Sequence, residues 1–306
     1  MGSGKLRKLT TPVLTAILAA PLLASSGRAA DSSASIPDFS GRWGRNAFNF
    51  EPLPSGPRPL TNMKRRSDGT GDPNQLVGDY TNPILKPEAA AVVKAKGEIS
   101  RQGLDYPDPS NNCSPYPPPF IFAMQLAFSL FQQKDHITLV YNQDDQVRFA
   151  RLNAAHPANL KPTWKGDSVA HYEGNTLVID TVGIKTGPLN YIDRYGTPHT
   201  DALHVVERYR LIDGEAAKQA AERHEKEDGL VGAMGGGVIL DPGYKGKGLQ
   251  VALTVEDPGV FTTPWSATIT YRRVGEEWRE QVCAENTHEY YAGRTTAIPT
   301  ADKPDF

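Results

Sequence analysis

Short apolar segments with two-residue alternation run through the second half of the chain and strongly constrain its fold. In residues 249–255, Leu and Val alternate with Gln, Ala and Thr, and residues 265–273 alternate in the same way. Such alternation gives one face of a β-strand to a core and the other to solvent, and it does not match helical spacing. The pattern therefore predicts a mainly β fold.

Turn residues separate about eight such segments from residue 135 onward. The predicted strands are 137–141, 147–152, 167–172, 176–182, 204–211, 249–255, 265–273 and 277–283. The Gly174-Asn175 dipeptide predicts a tight hairpin turn, because both residues tolerate positive φ. An antiparallel meander of about eight strands predicts a closed barrel or a strongly curved sheet, since closure removes exposed edges.

The chain before residue 135 has a different composition. Prolines cluster at 52–59 and at 115–119, and proline cannot lie inside a regular ladder because it lacks an amide donor. Residues 87–97 predict a short helix that begins with Pro-Glu and ends at a glycine. We therefore expect 30–134 to be an extended Pro-rich arm, packed on the main domain.

The main domain is expected to comprise residues 135–306. A helical and Gly-rich insertion at 214–247 interrupts its strands, with a helix predicted at 215–228. The run of three glycines at 235–237 lacks the strand–turn–helix context of a nucleotide-binding loop and therefore predicts a linker or lid.

The first residues have the three parts of a secretory signal. Basic residues within 5–8 precede an apolar stretch, 11–23, and small residues lie at Gly27 and Ala29. The apolar stretch has about 13 residues, against the roughly 20 that a membrane-spanning helix needs. We therefore expect residues 1–29 to be removed as a signal peptide. The mature protein would be periplasmic or secreted, with no membrane-spanning segment.

Cys113 and Cys283 are the two cysteines of the chain. An oxidising compartment favours a disulfide between them, which would close a loop of about 170 residues and contribute about 5 kcal/mol in the loop-entropy model. The alternative is two unpaired buried thiols. Two cysteines alone do not make a structural zinc site.

Charge and motif content remove several functional classes. The formal net charge of −2 argues against a basic nucleic-acid binder. The sequence contains no Gly-x-Ser-x-Gly elbow, Walker loop, His-Glu-x-x-His motif or dinucleotide fingerprint. Serine-hydrolase, kinase, zincin and Rossmann functions therefore have no support, and we expect no organic cofactor.

The strand predicted at 204–211 carries the densest group of reactive side chains. Glu207 and Tyr209 share its more apolar face, while His204 points to the other side. A desolvated carboxylate suits a general acid or base. The alternative for Glu207 is a buried ion pair, with Arg151 as the expected partner.

His199, Asp201 and His204 are expected at the mouth of this strand. Histidine shuttles protons near neutral pH, and Asp201 could orient either imidazole. The alternatives are a divalent-metal site, although the spacing matches no known metal signature, and ordinary surface residues. Asp180, which interrupts an apolar strand, is either a second catalytic carboxylate or a turn anchor. A further set of residues is expected to bind the ligand: Tyr209, Trp164, Arg151, His156 and Trp265.

The phrases at 164–168 (WKGDS) and 173–181 (EGNTLVIDT) resemble the core of a large, mostly uncharacterised family of exported bacterial β-rich proteins. Further similar phrases lie at 39–43, 198–209, 256–265 and 283–286. The resemblance implies export and a β-rich fold, and it implies no particular reaction.

Gly41-Arg42-Trp43, placed before a β-meander, resembles the opening Gly-x-Trp of lipocalins. In that family the tryptophan closes the floor of the barrel. This weaker resemblance favours a lipocalin-like barrel over a sandwich.

Two functions from different classes follow from these features. The first is an exported enzyme that acts on a small apolar or aromatic molecule by carboxylate and histidine acid–base chemistry, as an isomerase, lyase or hydrolase. The alternative is a periplasmic small-molecule binding protein, a lipocalin-like carrier without catalysis. An envelope structural protein is a third possibility, supported only by export and turn richness. Substrate, metal dependence and oligomeric state stay open.

Overall fold

The computed structural model describes residues 1–2, 36–45, 49–103, 109, 113–124, 127–187, 189, 191–228 and 245–274. Residues from 35 onward form one compact unit. Several predicted features lie outside the described residues: positions 3–29 of the signal segment, the strand expected at 277–283, the glycine run at 235–237 and Cys283. The predicted disulfide therefore stays a prediction.

Ten strands and two α-helices make up the described fold. The strands are β1 (Gly41–Gly44), β2 (Glu51–Pro52), β3 (Phe128–Gln132), β4 (His136–Tyr141), β5 (Val147–Leu152), β6 (Asp167–Glu173), β7 (Thr176–Val182), β8 (His204–Ile212), β9 (Gly248–Glu256) and β10 (Trp265–Arg273). The helices are α1 (Pro87–Arg101) and α2 (Gly214–Asp228), with short 3₁₀ helices at Phe120–Ala123 and Gln143–Asp145.

Nine of the strands close into a barrel. The sheet runs β1-β3-β4-β5-β6-β7-β8-β9-β10, and β1 also pairs with β10, so that Trp43 lies opposite both Phe128 and Arg273. β2 continues alongside β10. The prediction of a mainly β, lipocalin-like barrel is confirmed.

One pairing departs from the predicted antiparallel meander. β5 and β6 are parallel, with Ala150 opposite Ser168, whereas the other strand pairs are antiparallel. Parallel neighbours need a connection that returns to the starting end of the sheet. The segment between Leu152 and Asp167 makes that return, so it crosses the outer face of the barrel instead of forming a hairpin.

The barrel includes parts of the segment that was expected to be an arm. β1 and β3 both lie before residue 135, and they supply the two pairings that close the sheet. Their inward side chains Trp43, Phe128 and Leu130 are each at most 1 % exposed. Residues 30–134 therefore contribute structural strands to the barrel as well as an irregular covering.

The interior follows the alternation that the sequence predicted. From Gln250 onward the outer residues of β9 are partly or fully exposed, whereas its inward residues are buried: Leu249, Val251, Leu253 and Val255. The inward residues of β10 are buried as well: Trp265, Ala267, Ile269 and Tyr271.

Both helices form near their predicted places. The sequence predicted that α1 ends at Gly97, whereas the helix continues to Arg101. Gly97 instead lets the helix pack closely against Val77, because a Cβ there would lie 3.0 Å from the Val77 side chain. The glycine that follows the end of the helix is Gly103, with φ +73°. Asp213 begins α2 by accepting a hydrogen bond from the Glu215 amide at 2.7 Å. In the described part of the chain, neither helix is long and apolar enough to cross a membrane.

Candidate functional site

An ion pair crosses the interior of the barrel. Arg148 on β5 donates two hydrogen bonds of 2.6 Å to the two carboxylate oxygens of Glu207 on β8. The two side chains are 3 % and 0 % exposed. Because β6 and β7 separate these strands in the sheet, the pair joins two parts of the wall through the interior.

Tyr209 completes this group, which we call the inner ion-pair cluster (Arg148, Glu207, Tyr209). Its hydroxyl donates to Glu207 Oε2 at 2.6 Å, and Arg148 Nη2 lies 3.4 Å from the same hydroxyl. Burial, together with the negative charge of Glu207, raises the pKa of Tyr209 well above its ordinary value. Tyr209 therefore stays neutral and acts as a hydrogen-bond donor.

The expected partner of Glu207 was Arg151, and that prediction is wrong. Arg151 points outward from β5 and makes a bidentate contact with Asp167, at 2.7 and 2.9 Å. Phe149, which shares its face, is 59 % exposed. The outer face of β5 therefore carries Phe149, although this side chain is large and apolar. The inner face carries Arg148, whose buried charge is compensated by Glu207.

Three buried polar groups at the end of β4 and the start of β5 have no hydrogen-bond partner among the described residues: the Tyr141 hydroxyl, Gln146 Nε2 and Arg148 Nε. The Phe122 ring links two of them, since it lies 6.4 Å from the Tyr141 ring and 5.7 Å from the Arg148 guanidinium. A buried polar group without a partner costs about 1–3 kcal/mol, so three in one region require an explanation.

A second polar group lies on the outer face of the barrel. His156 contacts Asp167 through Nδ1 at 2.6 Å and Asp180 through Nε2 at 3.0 Å. The other oxygen of Asp180 contacts His204 Nε2 at 3.0 Å. With Arg151 on Asp167, these five residues form a continuous chain, which we call the outer histidine network.

Strand alternation separates the two groups. Asp180 lies opposite Val206, and Ile179 lies opposite Glu207, on the paired strands β7 and β8. His204 and Glu207 are three positions apart on one strand and therefore face opposite sides of the wall. The structure brings His204 and Asp180 together, as a shared site requires, but keeps both away from Glu207.

The outer histidine network holds complementary charges. Hydrogen bonding to Asp180 raises the pKa of His204 above its ordinary value, against the opposing effect of burial. Burial raises the pKa of Asp180, but its bonds to His204 and His156 outweigh that effect and lower it overall. The pKa of Asp167 is lowered as well, first by its bond to Arg151. These contacts therefore favour the protonated form of His204 and the ionised forms of the two carboxylates.

Replacing His204 with Gln should lower stability most in a window of mildly acidic pH. The raised His204 pKa gives stability that is complete below about pH 6.5 and is lost as pH rises through the folded-state pKa. The lowered Asp180 pKa gives stability that is present above about pH 4 and is lost as pH falls through its folded-state pKa. Because His204 is about one-third exposed, we expect a loss of at most about 1 kcal/mol near pH 5 and almost none near pH 9.

Urea unfolding of wild type and His204→Gln across this pH range measures the difference. His171→Gln is the matched control, since it removes a more exposed contact with Glu173 and should have a smaller effect. A stability difference that grows above pH 7 would contradict this assignment of charges.

The remaining predicted site residues make other contacts. His199 is buried, and its Nδ1 lies 2.9 Å from the Thr200 carbonyl; burial lowers its pKa. Asp201 is exposed. Trp164 lies against the Lys185 ammonium at 4.7 Å, and Trp265 is buried in the aromatic core. Within the described residues, no hydrogen bond or ion pair joins His199 or Asp201 to His204, so a shared role for the three stays a prediction.

The turn near His199 is organised by Asp257. Its carboxylate accepts hydrogen bonds from the Thr200 amide and hydroxyl, at 2.6 and 2.7 Å, and from the Gly259 amide at 2.9 Å. The Glu-Asp-Pro phrase at 256–258 predicts a turn that starts at Asp257, and these bonds confirm it. This turn fixes the entry of the chain into β8.

In the described part of the chain, no group of three or more His, Cys, Asp or Glu side chains has a geometry that could hold a metal ion. Comparisons with protein-family models, with curated proteins and with solved structures gave no significant match. The geometry of the two polar groups is therefore the basis for any functional assignment.

Proposed function

We propose that the protein binds a small organic molecule inside the barrel, against the inner ion-pair cluster. The observation that supports this proposal is the set of unpartnered buried groups on Tyr141, Gln146 and Arg148. A closed barrel that surrounds a few convergent polar groups with apolar side chains is a common architecture for small-molecule sites.

The unpartnered groups define the chemistry of the ligand. Gln146 Nε2 and Arg148 Nε are donors only, and the Tyr141 hydroxyl can donate as well. A ligand that satisfies them must therefore present oxygen acceptors, as a carbonyl, carboxylate or sulfonate group does. The aromatic neighbours Phe122 and Phe128, which lie near Tyr141, favour an apolar or aromatic body for the rest of the molecule.

Glu207 has a supporting role in this proposal. Both of its oxygens accept hydrogen bonds from Arg148, and Oε2 accepts another from Tyr209. Proton transfer by Glu207 would have to break these bonds, so the carboxylate is better suited to hold Arg148 in place. This favours a binding protein over the enzyme in which Glu207 and His204 act on one substrate.

Acid–base catalysis at the outer histidine network is a second candidate function. Asp180 orients His204 through Nε2, while His204 Nδ1 is 4.0 Å from Glu256 Oε2 and the imidazole is 35 % exposed. A histidine oriented by a carboxylate is a common general acid or base. His156 is less suited, because both of its ring nitrogens contact carboxylates.

Export is part of the proposal. The basic, apolar and small-residue segments of the first 29 residues favour a periplasmic or secreted protein. A carrier in that compartment would take up its ligand outside the cytoplasm.

The Tyr141→Phe variant tests the ligand site. With anilinonaphthalene sulfonate as probe, which joins an aromatic body to a sulfonate, removal of the hydroxyl should weaken binding about 5- to 30-fold. The stability of the protein should stay the same or increase, because the deleted hydroxyl has no partner within the described residues.

Tyr80→Phe is the matched control, since Tyr80 lies outside the barrel wall near Lys94. It should leave the affinity for the probe unchanged. Equal affinities in wild type and Tyr141→Phe, or no binding of the probe to wild type, would contradict the proposed site.

A further inference from the structure

A cavity lies outside the barrel wall, where β8 leads into α2. Its volume is about 700 Å³, within the range of about 300–1,000 Å³ that small-molecule sites occupy. The cavity is lined by the start of α2, the segment that leads into β9, and Arg272 of β10. Since Tyr271 points into the barrel, alternation turns Arg272 outward, and the cavity is separate from the inner ion-pair cluster.

The charges that line this cavity are mainly positive. Four side chains are cationic and two are acidic, in a chain whose formal net charge is −2. The cationic residues are Lys218, Lys245, Lys247 and Arg272, and the acidic residues are Asp213 and Glu215.

The acidic residues already have partners. Asp213 caps α2 by accepting from the amides of Glu215 and Ala216, at 2.7 and 3.4 Å. Glu215 accepts from Gln219 Nε2 at 3.3 Å. Their negative charge is therefore partly compensated by the helix N-terminus and by the Gln219 amide.

The guanidinium of Arg272 supplies an independent indication of a ligand. Its Nε is buried and has no hydrogen-bond partner in the part of the chain that the structure describes. Burial lowers the pKa of Arg272, against the opposing charge of Glu222. A partly buried guanidinium with an unpartnered Nε is stabilised when an anion binds beside it.

Glycines allow the walls of the cavity to approach closely. A Cβ on Gly214 would lie 2.3 Å from the Gly246 carbonyl oxygen, and a Cβ on Gly248 would lie 2.3 Å from the Ala217 Cβ. The backbone around Gly246 is therefore held against the first turn of α2, so that Lys245 and Lys247 line the same cavity as Arg272.

We infer that this cavity binds a small oxyanion, a molecule with a phosphate or carboxylate group, through Arg272, Lys245 and Lys247. Arg272 presents the planar donor set that matches an oxyanion, and the two lysines add positive charge from the exposed side. This cavity is distinct from the ligand site proposed for the barrel interior, and the inference does not depend on that proposal.

Isothermal titration calorimetry of the full chain at low salt, with inorganic phosphate in one arm and citrate in the other, tests the inference. At least one anion should saturate a single site with a dissociation constant below about 10 mM, and added salt should weaken it. The arm with the tighter binding identifies phosphate or carboxylate as the preferred group.

Substitutions then locate the bound anion. Arg272→Gln should weaken binding at least about tenfold, because it removes a charge-assisted contact. Lys245→Gln, an exposed change that does not threaten folding, should weaken it about two- to fivefold. The exposed Lys161, which does not line the cavity, is the charge-matched control, and Lys161→Gln should have no effect.

Three outcomes would overturn the inference. The first is that neither anion saturates below the stated concentration. The second is that Arg272→Gln and Lys245→Gln bind like wild type. The third is that the paired change Arg148→Met with Glu207→Leu, inside the barrel, abolishes binding of the anion, since the anion would then occupy the interior.

Discussion

Replacing Glu207 alone with Leu should lower the free energy of unfolding by about 3–5 kcal/mol, the largest effect expected at any single polar position. The change leaves the Arg148 guanidinium in a site where the side chain is 3 % exposed, without the carboxylate that compensates its charge. It also removes the acceptor of the Tyr209 hydroxyl. Urea unfolding followed by circular dichroism measures the loss.

The paired variant Arg148→Met with Glu207→Leu is the matched control. Replacing both members of a buried ion pair by apolar residues is often neutral or stabilising. We therefore expect most of the lost stability to return, with a coupling energy of about 2–4 kcal/mol in the double-mutant cycle. A paired variant as unstable as Glu207→Leu would show that the two side chains do not act as a pair.

The same variant separates a structural role from a binding role. If the ion pair only held the fold together, the paired variant would bind the sulfonate probe like wild type. We expect it to fold and to bind the probe at least about tenfold more weakly, because the Arg148 donor that faces the ligand is gone.

Trp43→Ala should lower the free energy of unfolding by about 3–5 kcal/mol. The side chain is 1 % exposed, its Nε1 donates to the Phe39 carbonyl at 2.9 Å, and the Arg273 guanidinium lies 4.1 Å from its ring. Trp43 therefore packs at the closure of the barrel, where β1 pairs with both β3 and β10. Chemical unfolding and near-ultraviolet circular dichroism measure the change.

Two comparisons sharpen this prediction. Trp43→Phe keeps an aromatic ring at the closure and loses the indole hydrogen bond, so its loss should be clearly smaller than that of Trp43→Ala. Trp164→Ala removes a partly exposed tryptophan that contacts Lys185 and should cost less than about 1 kcal/mol. A loss at Trp43 no greater than that at Trp164 would contradict its role in closure.

Local patterns were sufficient to predict much of the barrel wall. The bounds of β5, β7 and β10 coincide with those predicted, because turn residues flank each strand, and in β10 the side chains also alternate clearly. β1 was not predicted, and the reason is physical. It has four residues with glycine at both ends, and its two pairings join strands that are far away in sequence.

The candidate site was predictable only in part. Alternation correctly placed Glu207 and Tyr209 on the inner face of β8. The side chains of Asp180 and His204, both predicted site residues, are in hydrogen-bond contact. Arg148 was missed because the bulky Phe149 favoured the opposite face of β5. The charge that stabilises Arg148 inside the barrel is that of Glu207, 59 residues away in sequence. Local sequence patterns cannot predict an ion pair between residues so far apart.

His156 shows the same limit on the outer face. It lies on the connection between the parallel strands β5 and β6, and an antiparallel meander was expected there. The parallel crossing carries His156 over the barrel wall and places it between Asp167 and Asp180.

Native mass spectrometry of the purified protein tests the proposed ligand site most directly. Wild type and the paired variant Arg148→Met with Glu207→Leu would be purified in the same way and measured before and after mild denaturation. We expect wild type to carry one small organic molecule that is released on denaturation, and the paired variant to be folded without it. The same loss of mass on denaturation for both proteins, together with equal affinity for the sulfonate probe, would contradict a ligand site at the inner ion-pair cluster.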